Sequence, residues 1–273
     1  MYVVTGATGN VGGALVRTLA GAGLPVTAVA RRIAGADVPE GVRAVAADLA
    51  EPAGLGPAFE GAAALFLLVA GEDPYGVLGA AKTAGIRRVV LLSSQGAGTR
   101  PQAYAHPARF EKALWESGLD GTVLRSGGMD TNALAWAGSI RARREAAAPF
   151  GDTGLPFVDP EDVAAVAAAA LREGAHAGAT YTLTGPAPTT PRERAAAIGA
   201  ALGEPVRFTE QTREEAYAVM AAFMPPPVVE GTLAVLGEPT EEERRVGPDV
   251  ERVLGRAPGT FAAWARRNAA AFR

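Results

Sequence analysis

Short apolar segments alternate with amphipathic segments along the first two-thirds of the chain. Residues 2–4, 64–69 and 88–92 are apolar with little polar alternation, and each precedes a longer segment whose apolar residues recur at helical spacing. Strands of this kind, separated by helices, are typical of a parallel sheet covered on both faces. The pattern therefore predicts an α/β fold built on a doubly wound parallel sheet.

Turn signals and shorter apolar runs define the other elements of this region. Further strands are predicted over residues 26–30, 42–46, 121–125 and 180–184, and helices over 53–59, 74–84, 107–117 and 162–172. Asp73 and Pro74 supply a helix cap and a first-turn proline. Ligands of such sheets bind at the carboxyl ends of the strands, so residues that directly follow a strand are candidates for a site.

The pattern is less regular beyond residue 125. Helices are predicted over 191–202, 213–223 and 261–272, with a strand over 206–209, and the second of these helices stops at a run of three prolines. We predict a Rossmann domain over residues 1–150 with a returning segment near 157–185. Residues 186–273 are predicted to form a smaller lobe.

Composition excludes several classes of function. The net charge is −3 and the isoelectric point is near 5.6, so no basic surface is expected for nucleic acid. The chain has no cysteine and only two histidines, seventy residues apart, so we expect neither disulfides nor a metal site. No apolar run reaches the length of a membrane span, and Met1 leads directly into the first strand. We expect a cytoplasmic protein without a signal peptide.

Three glycines follow the first strand at a spacing of three. Gly6, Gly9 and Gly12 lie where a strand meets the start of a helix, which is where glycine permits a tight turn and a close approach of phosphates to the backbone. Free N–H groups and the positive end of the helix dipole favour a pyrophosphate there. An ordinary strand–helix turn is the alternative. We predict dinucleotide binding.

The residues around this turn resemble those of a known family. Residues 5–12 read Thr-Gly-Ala-Thr-Gly-Asn-Val-Gly, which is similar to the glycine motif of the NmrA-like group of atypical short-chain dehydrogenases. Other matches follow in order along the chain: Ala30-Arg31, Asp48, Leu91 to Ser94, Glu111-Lys112 with Leu114 and Ser117-Gly118, Leu124-Arg125 with Asn132, and Asp159 with Asp162 to Ala164. The resemblance implies a Rossmann fold with a substrate-binding C-terminal lobe. The group includes NADPH-dependent quinone reductases and polyketide-tailoring ketoreductases.

Two arginines follow the second strand and indicate which cofactor is preferred. A site for NADH would place an acidic residue there to bind the ribose hydroxyl. Arg31 and Arg32 instead offer guanidinium groups, which suit the 2′-phosphate of NADPH. A solvated surface pair is the alternative. We predict NADP(H), with Arg31 as the main contact.

The resemblance implies further cofactor contacts. These are Thr8, Asn10 and Val11 in the glycine turn, Asp48 and Leu49 after the third strand, Val69 and Ala70 after the fourth, and Ser93 at the end of the fifth. For Asp48, a position beside the adenine and a plain turn role are equally supported by the sequence.

The usual catalytic pair of short-chain dehydrogenases is missing. That pair is a Tyr-x-x-x-Lys motif, in which the lysine lowers the pKa of a proton-donating tyrosine on the same helical face. Tyr104 is followed four residues later by Ala108, and Lys112 lies eight residues away. The simplest proton donor is therefore absent. Acceptors whose own chemistry handles the proton, such as quinones and internally hydrogen-bonded polycyclic ketones, do not require one.

Three residues are candidates to replace this donor. Ser94 leaves the fifth strand, Tyr104 precedes a predicted helix, and His106 offers an imidazole, which is a common general acid. Local backbone bonding for Ser94 and a role at the helix start for His106 are the competing interpretations.

An apolar pocket is predicted from residues after the strands and in the lobe. The substrate candidates are Gln95, Met129, Trp136, Phe223 and Met224, and packing in the core is the alternative for the last four. Ser126 stands where the family usually has a proline, which leaves the shape of the following loop open.

These features predict an NADPH-dependent reductase. Its expected substrate is a carbonyl or quinone of an apolar, polycyclic aromatic small molecule. The alternative is a non-catalytic NADP(H)-sensing regulatory protein, which the missing catalytic pair favours. No membrane or nucleic-acid partner is expected, and the protein is expected to be a monomer or a small homo-oligomer.

Overall fold

The computed structural model describes residues 1–273 and contains nine strands and thirteen α-helices. The strands are β1 (Tyr2–Thr5), β2 (Val26–Ala30), β3 (Arg43–Ala46), β4 (Ala64–Leu68), β5 (Arg88–Ser94), β6 (Asp120–Ser126), β7 (Glu145–Ala148), β8 (Thr180–Leu183) and β9 (Arg207–Glu210). The helices of the first half are α1 (Asn10–Gly21), α2 (Gly56–Phe59), α3 (Pro74–Thr83), α4 (Gly96–Thr99), α5 (Ala105–Glu116) and α6 (Ala137–Arg143). Those of the second half are α7 (Pro160–Arg172), α8 (Pro191–Leu202), α9 (Arg213–Met220), α10 (Pro226–Gly237), α11 (Glu241–Arg244), α12 (Asp249–Leu254) and α13 (Phe261–Arg267).

Seven of the strands form one parallel sheet in the order β3-β2-β1-β4-β5-β6-β8. The strand order reverses between β1 and β4, which is the crevice where doubly wound sheets bind ligands. The predicted Rossmann-type α/β fold is confirmed. A second, two-stranded parallel sheet joins β7 to β9.

Each face of the large sheet is covered by its own apolar cluster. Helices α1, α7 and α12 cover one face, with Leu15 and Val163 among the fully buried residues. Helices α2, α3 and α5 cover the other face, where Phe59 and Phe110 are fully buried. Because both faces are covered, the central positions of β1, β4 and β5 are apolar on both faces, as the sequence pattern indicated.

The C-terminal segments form a lobe with a separate core. Helices α8 and α13 pack together around Trp264, which is 2% exposed, with Phe261 and Phe272 beside it. A smaller cluster joins α9 to α10 through Ala216, Val229 and Leu233. None of the helices is both long and apolar enough to span a bilayer.

The structure departs from the predicted elements mainly in this lobe. The helix expected over 213–223 ends earlier, at Met220. The three prolines that were expected to stop it instead begin α10, with Pro225 at the N-cap and Pro226 and Pro227 in the first turn, where proline fits. Strand β7 was not predicted, since its sequence Glu-Ala-Ala-Ala lacks β-branched residues. The expected helix over 261–272 ends at Arg267 and continues as a short 3₁₀ turn.

Acidic residues at the start of α7 anchor the C-terminal segment to the sheet. Asp159 caps the helix and pairs with Arg267, and Asp162 pairs with Arg256 at 2.7 Å. The Asp162 carboxylate also accepts the Gly259 N–H at 2.6 Å. Both aspartates are almost fully buried, so removal of an arginine would leave an uncompensated charge.

The carboxylate of a third aspartate beside this group has no hydrogen-bond partner. Asp130 is fully buried, and neither of its carboxylate oxygens is hydrogen-bonded. Burial, with a smaller contribution from the negative charge of Asp159, raises the pKa of Asp130 to about 7. The nearby guanidinium of Arg194 favours the charged form, but it stacks on the ring of Phe157, 3.8 Å from the ring centroid, and forms no ion pair with Asp130.

We expect Asp130 to make the protein less stable as the pH rises. Its folded pKa lies above the ordinary value, so the folded state binds more protons than the unfolded state between about pH 4 and pH 7. The free energy of unfolding should therefore fall across this window. In Asp130→Asn the fall should be smaller, and the variant should be more stable than wild type at about pH 8, by on the order of 2 kcal/mol.

Urea unfolding at about pH 5 and pH 8 measures this difference. Asp120→Asn is the matched control, because Asp120 is exposed and should leave the pH dependence unchanged. If the free energy of unfolding changes equally with pH in wild type and in Asp130→Asn, Asp130 is ionised in the folded protein and the prediction is wrong.

Candidate functional site

The glycine turn lies between β1 and α1 at the point where the strand order reverses. Gly6 has a φ of +63°, which favours glycine. A Cβ on Gly12 would lie 2.2 Å from the carbonyl oxygen of Gly6, and one on Gly9 would lie 3.2 Å from the same atom. The glycines therefore bring the first turn of the helix directly against the end of the strand.

The start of α1 presents unused N–H groups. Gly9 caps the helix without a side-chain hydrogen bond, and the N–H groups of Asn10, Val11 and Gly12 have no acceptor in the chain. Thr8, Gly9 and Asn10 are exposed, whereas the Val11 side chain is buried in the core. A pyrophosphate fits this cradle, and Val11 would contribute only its backbone.

Arg31 and Arg32 follow β2 on the same side of the crevice. Both side chains are exposed, and neither takes part in any ion pair of the chain. The end of β2 is joined to the glycine turn by a hydrogen bond from the Ala7 N–H to the Val29 carbonyl, at 3.1 Å. A free guanidinium here fits the 2′-phosphate of NADPH.

The loops after β3 and β4 pack against each other. Gly71 has a φ of +77°, and a Cβ there would lie 2.9 Å from the carbonyl oxygen of Leu49. The Asp48 carboxylate accepts the Ala50 N–H at 2.9 Å and so stabilises the turn after β3, while its place beside an adenine stays a prediction. Leu49 is 7% exposed and packs in the core, while Val69 and Ala70 are half-buried.

A buried ion pair lies behind the end of β5. Glu111 of α5 accepts two hydrogen bonds from the guanidinium of Arg125 on β6, at 3.0 and 2.7 Å. The hydroxyl of Ser93 donates to the same carboxylate at 2.6 Å. Ser93 is 8% exposed, so its side chain supports this pair and only its backbone is free to contact a cofactor.

The predicted catalytic residues do not form a paired acid. The Ser94 oxygen accepts the Gly96 N–H at 3.1 Å, which leaves its own hydroxyl hydrogen available. Tyr104 is half-buried at the start of α5 and makes no capping hydrogen bond. Lys112 pairs with Glu116 at 3.8 Å and is 69% exposed, so it is not a partner of Tyr104.

His106 instead holds the loop after β4. Its Nε2 lies 2.7 Å from the carbonyl oxygen of Gly71, so Nε2 carries a hydrogen and donates it. The neighbouring Glu72 carboxylate lies 3.7 Å from the same nitrogen. Arg109 also binds the Glu72 backbone carbonyl, so two side chains of α5 hold this loop. We interpret His106 as a residue that holds the loop rather than as a proton donor.

The predicted substrate residues fall into separate groups. Gln95 is 9% exposed, and its Nε2 donates to the Glu242 carbonyl at 3.3 Å. Its Oε1 lies beside Gly127. Trp136 donates to the Ala147 carbonyl at 2.8 Å and packs in the lobe core. Met129 packs against the large sheet. Met224 packs in the α9–α10 cluster, and Phe223 beside it is 71% exposed.

The residues that fix the loop after β5 have no signature in the local sequence pattern. Arg100 pairs with the buried Glu243 of α11, and Thr99 donates to the same carboxylate at 2.8 Å. Gly96 and Gly98 are the signal that indicates close packing here. A Cβ on Gly96 would lie 2.4 Å from the ring of Tyr104, and one on Gly98 would lie 2.4 Å from the guanidinium of Arg125. No three acidic or histidine side chains are grouped to hold a metal ion.

Comparisons with known proteins agree with this geometry. A model of the NAD(P)H-binding family matches residues 6–174. Over 281 residues the chain is 37% identical to the (4-alkanoyl-5-oxo-2,5-dihydrofuran-3-yl)methyl phosphate reductase of Streptomyces griseus, covering 100% of this chain and 99% of that protein. It is 34% identical over 285 residues to the NAD(P)H azoreductase of Xenophilus azovorans, with 100% and 99% covered.

A solved structure with bound NADPH has the same fold. The NADPH-dependent quinone oxidoreductase of Escherichia coli, crystallised with NADPH, superposes with a TM-score of 0.79 at 25% identity, covering 98% of this chain and 99% of that chain. The chain therefore belongs to the NAD(P)H-binding family, and it is an NAD(P)H-dependent oxidoreductase with NADP as its cofactor.

Proposed function

We propose that the protein uses NADPH to reduce a carbonyl or quinone of an apolar, conjugated ring compound without a proton donor from the protein. The observation that carries this proposal is the separation of Tyr104 from any lysine. Lys112 is exposed and paired with Glu116, and His106 Nε2 is already bonded to the Gly71 carbonyl. The site therefore binds and orients its reactants but offers no tuned acid.

The cofactor-binding residues have distinct roles in this proposal. The N–H groups of Asn10, Val11 and Gly12 would hold the pyrophosphate, and Arg31 would hold the 2′-phosphate. NADPH supplies a hydride when it is bound. Because the glycines leave no space for side chains beside the helix start, the backbone itself forms the cradle.

The missing acid restricts the acceptor chemically. When a hydride adds to the carbonyl carbon of an isolated ketone, the carbonyl oxygen takes the electron pair of the double bond and becomes an alkoxide. This alkoxide needs a proton from a nearby acid. When the hydride adds to a ring atom conjugated with the carbonyl of a quinone or an unsaturated ketone, the displaced electron pair is delocalised onto the carbonyl oxygen as an enolate or hydroquinone anion. Water can protonate such an anion. The site thus favours electron-poor conjugated acceptors.

The names of the relatives describe acceptors of this kind. One relative acts on azo compounds, another on quinones, and the name of the third describes an unsaturated ring lactone that carries a conjugated acyl group. These names support the conjugated character of the proposed acceptor, whereas the third name also contains a charged phosphate and gives no support to its apolar character. An apolar ring compound also suits the apolar side chains of Met129 and Met224, which are only partly buried.

We expect quinones and conjugated polycyclic ketones to be reduced far faster than a saturated ketone of similar size. General acid catalysis contributes roughly a hundredfold or more, so kcat/KM for the saturated ketone should be lower by at least about that factor. The decrease of nicotinamide absorbance measures turnover. Tyr104→Phe should retain quinone reduction, because the hydroxyl is not required.

Equal rates for saturated and conjugated ketones would contradict the proposal. The alternative function, a non-catalytic NADP(H)-sensing protein, predicts tight NADPH binding with no turnover of any acceptor. It also predicts different affinities for NADP⁺ and NADPH and a protein partner whose binding follows the bound form.

We expect Arg31→Ala to weaken NADPH binding at least about tenfold and to change NADH binding little. A charge-assisted hydrogen bond to phosphate contributes about 1.5–3 kcal/mol, and only NADPH carries the 2′-phosphate. Fluorescence titration of both nucleotides measures the two dissociation constants. Arg32→Ala is the control and should have the smaller effect. Equal weakening of NADPH and NADH binding would place Arg31 away from the 2′-phosphate.

A further inference from the structure

The chain after β5 is fixed to the lobe by one buried ion pair. Arg100 follows α4, and its Nε lies 2.8 Å from Oε1 of Glu243 while its Nη2 lies 2.9 Å from Oε2. Glu243 is 2% exposed, and Arg100 is largely covered. This two-point geometry specifies the relative orientation of the loop and α11 more strictly than a single hydrogen bond would.

The same two side chains also satisfy the ends of two helices. Arg100 Nη2 donates to the carbonyls of Glu238 at 2.9 Å and Ala234 at 3.4 Å, in and just after the last turn of α10. Glu243 accepts the Thr240 N–H at 2.9 Å and so closes a capping box at the start of α11. Burial acts to raise the pKa of Glu243, but the hydrogen bonds from Arg100, Thr240 and Thr99 lower it to about 2. The carboxylate therefore stays ionised at any pH where the enzyme works.

Three further contacts connect this ion pair to the candidate acceptor site. The Tyr104 N–H donates to the Arg100 carbonyl at 3.1 Å. The ring of Tyr104 lies between Gly96 and α10, where a Cβ on Gly231 would be 3.5 Å from the ring. Gln95 donates to the Glu242 carbonyl, next to Glu243. The loop, the ring and α10 thus form one wall beside the end of β5.

We propose that Arg100 and Glu243 are positioning residues that set the acceptor-binding wall formed by Gln95, Tyr104 and α10. This inference rests on the proposed function. The pair has no contact with the glycine turn, Arg31 or the loops after β3 and β4, so it governs the binding of the acceptor and leaves the binding of NADPH unchanged.

A purely stabilising role is the competing explanation. Buried ion pairs contribute little to stability compared with apolar residues of the same volume, although breaking one is costly. Stability alone would therefore not require this arrangement. If the pair positions the wall, a variant of the pair should bind the acceptor more weakly and still bind NADPH normally. If the pair only stabilises the fold, the variant should not affect acceptor binding more than NADPH binding.

The test compares Glu243→Gln with Glu241→Gln. Both residues lie on α11, but Glu241 is 94% exposed and only 3.8 Å from the exposed Arg245. In Glu243→Gln we expect KM for a quinone to rise about tenfold, with kcat and the dissociation constant of NADPH within about twofold of wild type. Glu241→Gln should match wild type in all three. Arg100→Lys keeps the charge and loses the two-point geometry, so its KM for the quinone should rise less. This variant is the substitute test if Glu243→Gln fails to fold.

Hydrogen exchange of residues 95–104 gives a readout that does not depend on turnover. Exchange in this segment should be faster in Glu243→Gln than in Glu241→Gln, and the glycine turn should be unchanged. If wild type reduces no acceptor, the proposed function fails, and the exchange comparison still tests the pair. Equal exchange in the two variants, or loss of NADPH affinity in parallel with the rise in KM, would overturn the positioning role.

Discussion

The close contact between the end of β1 and the start of α1 is the constraint on which the rest of the structure depends. Gly12 places the helix backbone so near the Gly6 carbonyl that no side chain fits between them. The contact directs the free N–H groups of α1 toward the crevice between β1 and β4. The neighbouring loops then follow this geometry, because Ala7 bonds to the end of β2 and Thr5 bonds to β4 through its hydroxyl.

Two buried glutamates organise the other side of the crevice. Glu111 joins α5 to β5 and β6 through Ser93 and Arg125, and Glu243 joins the loop after β5 to the C-terminal lobe. Each carboxylate is shared by several donors, so each fixes several elements at once. The cofactor side of the site is thus built from backbone and glycine, whereas the acceptor side is held by ionic side chains.

Local sequence predicted the sheet well because strands such as β2 and the helices that cover them, such as α3, have strong, short-range signals. The glycine turn was predictable for the same reason. The lobe was predicted less well: β7 is mostly alanine, and its strand conformation depends on pairing with β9, sixty residues away. The Arg100–Glu243 pair spans 143 residues, and no local pattern reports such a contact. For His106 and Ser93, the residue type indicated chemistry, but the structure shows both side chains bonded within the fold.

In the function proposed above, this site transfers a hydride without a proton donor from the protein. The rate of a single turnover with saturating NADPH and a quinone, measured between about pH 6 and pH 9, tests it most directly. Without a titrating donor the rate should change by less than about twofold over this range. A rate that falls about tenfold per pH unit above a defined pKa, and that loses this dependence in Tyr104→Phe or His106→Gln, would contradict the account.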